Sequence, residues 1–168
     1  MSDGEPYVVG LRLLARRELS EAQLRARLAR RGFESRDIEA AVDQLRRERA
    51  LDDRRVALAC ARTEVRLRQR GRGRIVRQIE SMGIAREVAR QAVAEVFSEI
   101  DERSLLDQAL EKRLRRGVSL SDTAAQRRIH RYLIAQGFEP SRVAAAIESR
   151  LGSGPYAPHR GQTPDIDQ

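Results

Sequence analysis

Apolar residues recur at helical spacing along the chain from residue 7 to residue 151. They lie three or four positions apart, which places them on one face of a helix, and no segment keeps the alternation of apolar and polar residues that a half-buried strand requires. The pattern therefore predicts an all-α protein. Residues 1–6 and 152–168 lack this periodicity, and residues 152–168 are rich in Gly and Pro, so we expect both ends to be disordered.

One short pattern occurs three times: two apolar residues four positions apart, a glycine, an apolar residue, and then a further apolar helix face. The glycines are Gly32, Gly83 and Gly137, which are 51 and 54 residues apart. Such a glycine ends a helix in the left-handed conformation, and the apolar residue after it packs back against that helix. The matching sets are Leu24, Leu28, Gly32, Phe33, Ile38 and Val42; Ile75, Ile79, Gly83, Ile84, Val88 and Val93; and Ile129, Leu133, Gly137, Phe138, Val143 and Ile147.

A further amphipathic helix precedes each pattern, so one repeat contains three helices. We predict three such repeats, at residues 7–50, 51–99 and 100–151. Start signals support these helices, because Ser20 with Gln23 fits a capping box, Asp52 can cap the fourth helix, and Pro140 suits a first turn. A bundle of roughly 50 residues buries little surface, so we expect the three bundles to form an elongated, curved row.

Composition restricts the core and the cellular location. With three Phe, three Tyr and no Trp, the core must consist mainly of Leu, Val, Ile and Ala. The single cysteine, Cys60, cannot form an intramolecular disulfide. Its predicted helical face also carries Val56, Ala59, Thr63 and Leu67, which indicates a buried thiol.

No apolar run reaches the roughly 20 residues of a membrane span, and the short acidic N-terminus is unlike a signal peptide, so we expect a cytoplasmic protein.

No set of residues has the pattern of a catalytic, cofactor or metal site. The one glycine-rich segment that opens a helix, residues 70–74, lacks the third glycine of a dinucleotide-binding loop and the Gly-Lys-Ser/Thr of a phosphate-binding loop. We interpret it as a flexible loop. Cys60, His130 and His159 are too far apart in sequence to form a typical metal-ligand motif. The residues themselves therefore indicate an α-helical binding module, with no cofactor.

Basic residues outnumber acidic residues by 33 to 25, which gives a net charge of +8 and favours an anionic partner. Residues 62–77 hold seven arginines against Glu64 alone, a local charge of +6. Exposed faces normally mix the two signs, so we predict a partner-binding surface here, with arginine codon bias and solubility as alternative explanations. The predicted contacts are Arg62, Arg66, Arg68, Arg70, Arg72, Arg74 and Arg77, extended along the eighth helix by Arg127, Arg128 and Arg131.

Sequence-specific reading of DNA is not favoured. The helices that follow the three glycines carry no Asn or Gln among their first residues to contact base edges. Aromatic residues that could stack on bases are also few. Direct binding to single-stranded or double-stranded DNA should therefore be electrostatic and independent of sequence.

Several short pieces occur in a fixed order between residues 7 and 151. They are Arg17–Ser20 before Leu24, Leu28 and Gly32-Phe33; Leu51-Asp52-Asp53; Arg70-Gly71 with Arg74-Ile75; Met82-Gly83-Ile84; and Gln136-Gly137-Phe138. In this order and spacing the chain resembles the RecX family, bacterial regulators of the RecA recombinase. Arg72 departs from that resemblance, because the family often has proline at this position, and the change should loosen the loop.

The resemblance implies a tandem three-helix protein that lodges in the groove of the RecA–DNA filament. It implies inhibition of ATP hydrolysis, strand exchange and coprotease activity, and hence modulation of DNA repair and the SOS response. It implies no enzymatic activity and no membrane association, and we expect a monomer. Two alternatives remain: a sequence-nonspecific DNA-binding protein that acts by occupying DNA, and a scaffold for another acidic protein.

Overall fold

The computed structural model describes residues 4–115, 117, 120 and 122–152, and within these residues the chain forms nine α-helices and no strand. The all-α prediction is confirmed. Helix α1 begins at Pro6 and α9 ends at Gly152, so each extends one residue into a segment for which disorder was predicted; residues 1–3 and 153–168 lie outside the described residues. The helices are α1 (Pro6–Arg16), α2 (Glu21–Ala29), α3 (Ser35–Arg47), α4 (Asp53–Arg68), α5 (Arg72–Glu80), α6 (Arg86–Ser98), α7 (Glu102–Leu114), α8 (Thr123–Ala135) and α9 (Pro140–Gly152).

The predicted helix starts are confirmed. The Ser20 hydroxyl oxygen accepts the Gln23 N–H at 3.1 Å, and the Gln23 side chain accepts the Ser20 N–H at 3.3 Å, which completes a capping box. The Asp52 carboxylate accepts the Arg55 N–H at 3.0 Å and caps α4. Pro140 is the first residue of α9, where its missing N–H leaves no helical bond unmade.

The three repeated glycines end α2, α5 and α8 in the left-handed conformation, with φ of +82°, +81° and +94°. Ile84 and Phe138, which follow the second and third glycines, are buried as predicted, whereas Phe33 is only partly buried. In α6 the buried pair is Ala89 and Val93, four residues apart. The match to Val88, which is only partly buried, was therefore wrong by one residue.

The helices pack in chain order, as three groups of three. Helices α1 to α3 surround one core, which includes Leu24, Leu28 and Leu45. The second and third groups share a continuous core of mainly Ile, Val, Leu and Ala side chains, to which Ile79 and Leu133 contribute. The chain therefore consists of three-helix units in tandem, and the second and third are joined by apolar packing. The boundaries predicted at residues 50 and 99 stay a prediction.

The predicted buried face of α4 is wrong. Cys60 is only half-buried, and Leu67, on the same face, is 70% exposed. Of the predicted face only Val56 is buried. The other side chains of α4 that face the core are those of Ala57, Ala61, Glu64 and Val65. The sequence pattern was misleading because Glu64, a charged residue, occupies a core position on this helix.

The first and second units meet at the start of α2. The fully buried Ser20 hydroxyl donates a hydrogen bond to the Met82 carbonyl oxygen at 2.5 Å, and the Asp53 carboxylate accepts the Glu21 N–H at 2.8 Å. The turn at Gly83 comes so near that a Cβ atom at this glycine would lie 2.3 Å from the Cβ atom of Ala22. A glycine turn of the second unit thus sits directly on a helix start of the first.

The second and third units meet in the same way at the start of α5. The Gly71 N–H donates to the Gln136 carbonyl oxygen at 2.9 Å, and the Gly73 N–H donates to the Gly137 carbonyl oxygen at 3.2 Å. A Cβ atom at Gly137 would lie 2.2 Å from the backbone nitrogen of Arg74. The segment predicted as a flexible loop is therefore held against the turn of the next unit. Ser20 at the first junction and Gly71 at the second each lie twelve residues before the repeated glycine of their own unit, so the two junctions are equivalent.

We expect Gly137→Ala to destabilise the protein far more than Gly32→Ala. Both glycines have positive φ, which costs a residue with a side chain about 1–2 kcal/mol. At Gly32 a Cβ atom would meet nothing within 4 Å, whereas at Gly137 it would collide with the backbone of α5. The added overpacking should cost about a further 1–3 kcal/mol. Equal loss of unfolding free energy in the two variants, measured by urea denaturation, would contradict the junction described above.

Asp53 allows a test by pH. Burial raises the pKa of its carboxyl group, so the charged form is disfavoured in the folded protein. The contribution of Asp53 to the free energy of unfolding is therefore fully present when the pH is below the pKa of this carboxyl group in the unfolded chain. It is lost as the pH rises through the pKa of the same group in the folded protein. Asp53→Asn keeps an oxygen for the Glu21 N–H and removes the charge, so we expect a gain in stability relative to wild type at pH 7 that shrinks toward pH 4. Asp53→Ala should lose about 1 kcal/mol at pH 7. Thermal unfolding at both pH values measures this, and an asparagine variant as unstable as the alanine variant would refute it.

Candidate partner-binding surface

The seven arginines of residues 62–77 do not share one surface, because they extend from the second half of α4 through the connection to α5. Their surroundings separate them into four groups. Arg68 and Arg70 bind a buried carboxylate, and Arg72 spans two units. Arg62 and Arg66 face carboxylates across a groove, and Arg74 and Arg77 have no carboxylate partner among the described residues. The local charge of +6 is therefore not presented to a partner as a whole.

Arg68 and Arg70 neutralise Glu64. The Glu64 carboxylate lies 2.5 Å from the Arg70 guanidinium and 3.2 Å from that of Arg68. The side chains of Arg70 and Glu64 are only 15% and 7% exposed. Burial, with a smaller effect from Glu64, also raises the pKa of the adjacent Cys60 thiol. A buried carboxylate requires such a partner, so Arg70 belongs to the core of the second unit.

Arg72 connects the second and third units. Its guanidinium lies 3.3 Å from the Glu102 carboxylate at the start of α7, and it covers the ring of Phe97 at 4.5 Å from the ring centre. Arg142 of α9 reaches the same carboxylate at 2.8 Å. The charge of Arg72 is thus balanced within the protein, and its side chain packs on an aromatic face.

Arg62 and Arg66 are exposed on α4, but they line a groove of about 310 Å³ whose opposite wall carries Glu95 and Glu99 of α6. Glu95 also pairs with Arg54 at 2.5 Å. Positive side chains on one wall of this groove therefore face negative side chains on the other. Such a mixed surface is typical of an ordinary solvated face rather than of a dedicated anion site.

Arg74 and Arg77 occupy the face of α5 opposite to its buried residues Ile75 and Ile79. No carboxylate lies within ion-pair distance of either guanidinium among the residues that the structure describes. The backbone of Arg74 lies against Gly137 in the second junction, so these two arginines border the point where the third unit begins.

Arg127, Arg128 and Arg131 share the exposed face of α8, opposite to Ile129 and Leu133. Within residues 122–152 and the other described parts, they too lack an ion-pair partner. They line a groove of about 680 Å³ between α8 and α9. Five of the ten predicted contacts therefore remain as unpaired charges: Arg74, Arg77, Arg127, Arg128 and Arg131.

The α9 side of this groove was missed in the sequence. It carries Ile147 and Leu151 together with the acidic side chain of Glu148. The available signal was that Leu151, the last apolar residue of the periodic pattern, comes directly before a segment rich in Gly and Pro.

The described residues offer little for chemistry on small molecules. No group of three or more His, Cys, Asp or Glu side chains among them could hold a metal ion. Within the same residues, no helix is long and apolar enough to cross a membrane. What the surface offers is a set of unpaired cations on α5 and α8, which can bind carboxylates or phosphates.

Comparison with known proteins places this architecture among regulatory proteins. A family model described as the first three-helix domain of RecX matches residues 7–45. The regulatory protein RecX of Treponema pallidum (strain Nichols) is 39% identical over 113 residues, which cover 67% of this chain and 69% of that protein. The regulatory protein RecX of Halorhodospira halophila is 32% identical over 151 residues, which cover 87% and 90%. The crystal structure of RecX from Lactobacillus salivarius superposes with a TM-score of 0.75 at 18% identity, over 86% of this chain and 93% of the other.

Arg70 and Arg128 should respond differently to substitution. We expect Arg70→Ala to lower the unfolding free energy by about 2 kcal/mol or more, because it removes the nearer partner of a buried carboxylate. Arg128→Ala should change it by less than about 0.5 kcal/mol, since this side chain is exposed and unpaired. Urea denaturation measures both values. A variant of Arg70 as stable as wild type would show that Glu64 is satisfied without it.

Proposed function

The chain belongs to the RecX family of regulatory proteins, and we propose that it binds the RecA recombinase on its DNA filament and inhibits the activities of that filament. The inhibited activities are ATP hydrolysis, strand exchange and coprotease action, through which the protein modulates DNA repair and the SOS response. It acts by binding rather than by catalysis, as a monomer in the cytoplasm. The observation that carries the proposal is a tandem array of three-helix units, fixed at equivalent junctions, with unpaired arginines on α5 and α8.

The junctions hold the three-helix units in a row, which suits a partner that presents the same surface repeatedly. Ser20 and Gly71 each anchor the next unit through a buried or closely packed hydrogen bond, so neighbouring units keep a fixed relation. A filament presents the same surface again on each successive protomer. Two units that contact neighbouring protomers gain effective concentration from their connection, and this raises affinity without new kinds of contact. Such binding would be stronger on the assembled filament than on a single recombinase protomer.

The unpaired arginines supply attraction to the filament. Five guanidinium groups on α5 and α8 have no carboxylate partner among the described residues, so binding an anion there requires none of the described ion pairs to be broken first. Arginine also binds carboxylate and phosphate groups with two parallel hydrogen bonds. The recombinase and its DNA both carry such groups.

A second candidate function is sequence-nonspecific DNA binding. The same five unpaired arginines favour it, because phosphate groups would satisfy them equally well. Salt dependence separates the two candidates. A protein that only binds phosphate should bind bare DNA with a steep dependence on salt and should need no recombinase, whereas a filament regulator should prefer the recombinase-coated strand.

We expect the protein to inhibit single-stranded-DNA-dependent ATP hydrolysis by the cognate RecA at well below one copy per recombinase. Excess free DNA should not relieve this inhibition. Arg74→Ala with Arg77→Ala should weaken it several-fold, and Arg12→Ala with Arg36→Ala, which removes equal charge from exposed positions on α1 and α3, should not. The measurement is a titration of steady-state ATP hydrolysis. Inhibition only when the DNA itself is saturated would instead support the nonspecific DNA-binding function.

A further inference from the structure

The groove between α8 and α9 combines an apolar floor with a basic rim. Its floor includes Ile147 and Leu151, and Leu151 is 45% exposed although it is a large apolar side chain. Its rim carries the unpaired guanidinium groups of Arg127, Arg128 and Arg131. The volume of about 680 Å³ is large enough for several side chains of a partner. An apolar patch bordered by polar groups is typical of a protein-binding surface.

The repeat shows that the corresponding face is covered by polypeptide elsewhere in this molecule. Counted back from the repeated glycine, Arg127 of α8 corresponds to Ala22 of α2 and Gly73 of α5. Ala22 lies against the turn at Gly83, and Gly73 donates its N–H to Gly137 in the next turn. The face of α8 that carries Arg127 is thus the position at which the array would receive a further unit.

A further unit of the same kind does not fit on α8. At the first two junctions the residue at this position is small, Ala22 or Gly73, and Arg127 replaces it with a long charged side chain. Helix α8 also begins fourteen residues before its glycine, whereas α2 and α5 each begin eleven residues before theirs. The position equivalent to Ser20 and Gly71 is Ala125 in this longer helix, and its N–H already donates to the Asp122 carboxylate at 2.7 Å. The glycine turn of a second copy is therefore not the occupant that this face selects.

The chemistry of the groove defines a different occupant. Three cations face a single carboxylate, that of Glu148, so the groove favours negative charge. A DNA backbone would satisfy the rim but would leave the apolar floor uncovered, because sugar and phosphate groups carry no large apolar side chain. An amphipathic helix with apolar residues on one face and carboxylates beside them satisfies both the floor and the rim.

We propose that the α8–α9 groove is a docking site for an acidic, amphipathic helical segment of a protein partner, whose apolar side chain covers Leu151 while its carboxylates pair with Arg127, Arg128 and Arg131. This inference deepens the proposed function and rests on it only for the identity of the partner: the groove contacts the recombinase protein, not the DNA. Leu151 acts as the anchor of the contact, and the arginines set its orientation and specificity.

The test uses the full chain and two groove variants. Leu151→Asp places a charge on the floor, and Arg127→Ala with Arg128→Ala and Arg131→Ala removes the rim. Leu67→Asp, at an exposed leucine on α4, is the matched control for the first variant. Arg12→Ala with Arg36→Ala and Arg90→Ala, which removes equal charge from exposed helix faces, is the control for the second. Circular dichroism verifies that all four variants are folded.

Three ligands are titrated against each protein: RecA without DNA, single-stranded DNA without RecA, and a model peptide. The peptide has about 15 residues, with leucines spaced three and four apart and flanked by glutamates. We expect both groove variants to lose at least tenfold in affinity for the peptide and for RecA, while their affinity for DNA falls no more than in the matched controls. The two control variants should bind peptide and RecA like wild type.

The outcomes separate this inference from the proposed function. If groove variants bind peptide and RecA like wild type while wild type still inhibits RecA, the groove proposal is wrong and the proposed function stands. If the peptide binds through the groove but wild type does not inhibit RecA on its DNA filament, the groove proposal stands and the proposed function fails. A selective loss of DNA affinity would assign the groove to nucleic acid, and self-association of wild type that Leu151→Asp abolishes would assign it to a second copy; either result overturns the proposal.

Discussion

A hydrogen bond between the end of one helix and the start of another joins each unit of this protein to the next. The carbonyl groups in the last turn of a helix and the N–H groups in its first turn have no partners within the helix. Here the Met82 and Gln136 carbonyl oxygens, at helix ends, are satisfied by the Ser20 hydroxyl and the Gly71 N–H at helix starts. The bond is possible only because the backbones come very close. That approach requires glycine in the turn, so the same constraint accounts for Gly83 and Gly137, for the buried Ser20 and for Gly71.

The same packing decides which arginines are available to a partner. Arg70 neutralises a carboxylate that the fold has buried, and Arg72 joins α5 to α7 through Glu102 beside the second junction. A cation that compensates a buried charge contributes to folding and cannot be removed without consequence for the core. Arginines on helix faces opposite the core, such as Arg77 and Arg131, do not compensate a buried carboxylate of the described residues. Density of positive charge along a sequence is therefore a weaker guide to a binding surface than the position of each carboxylate around it.

Local rules predicted most of the fold. Helix periodicity, the capping box at Ser20, the cap at Asp52 and the three left-handed glycines all depend on residues within a few positions of one another, so the sequence contains the information directly. The errors arose where a distant residue decides the outcome. The predicted buried face of α4 left out Glu64, whose partner Arg70 follows the helix. Residues 70–74 were interpreted as flexible because the turn that holds them belongs to the third unit. The unpaired arginines and the α9 side of the groove could be separated from the rest only once tertiary neighbours were known.

The two ends of the array differ, and this difference determines what the molecule can bind. At the first end the turn at Gly32 is uncovered, and Phe33 is less buried than Ile84 and Phe138 at the turns that a preceding unit covers. At the other end α8 exposes the face that receives a unit elsewhere, but it carries Arg127 where the receiving helix needs a small residue. The position that makes the repeated hydrogen bond is Ala125 in α8, and its N–H already donates to the Asp122 carboxylate. The array is therefore not suited to adding copies end to end, and the groove with its basic rim on α8 and its apolar floor on α9 suits a partner of different chemistry.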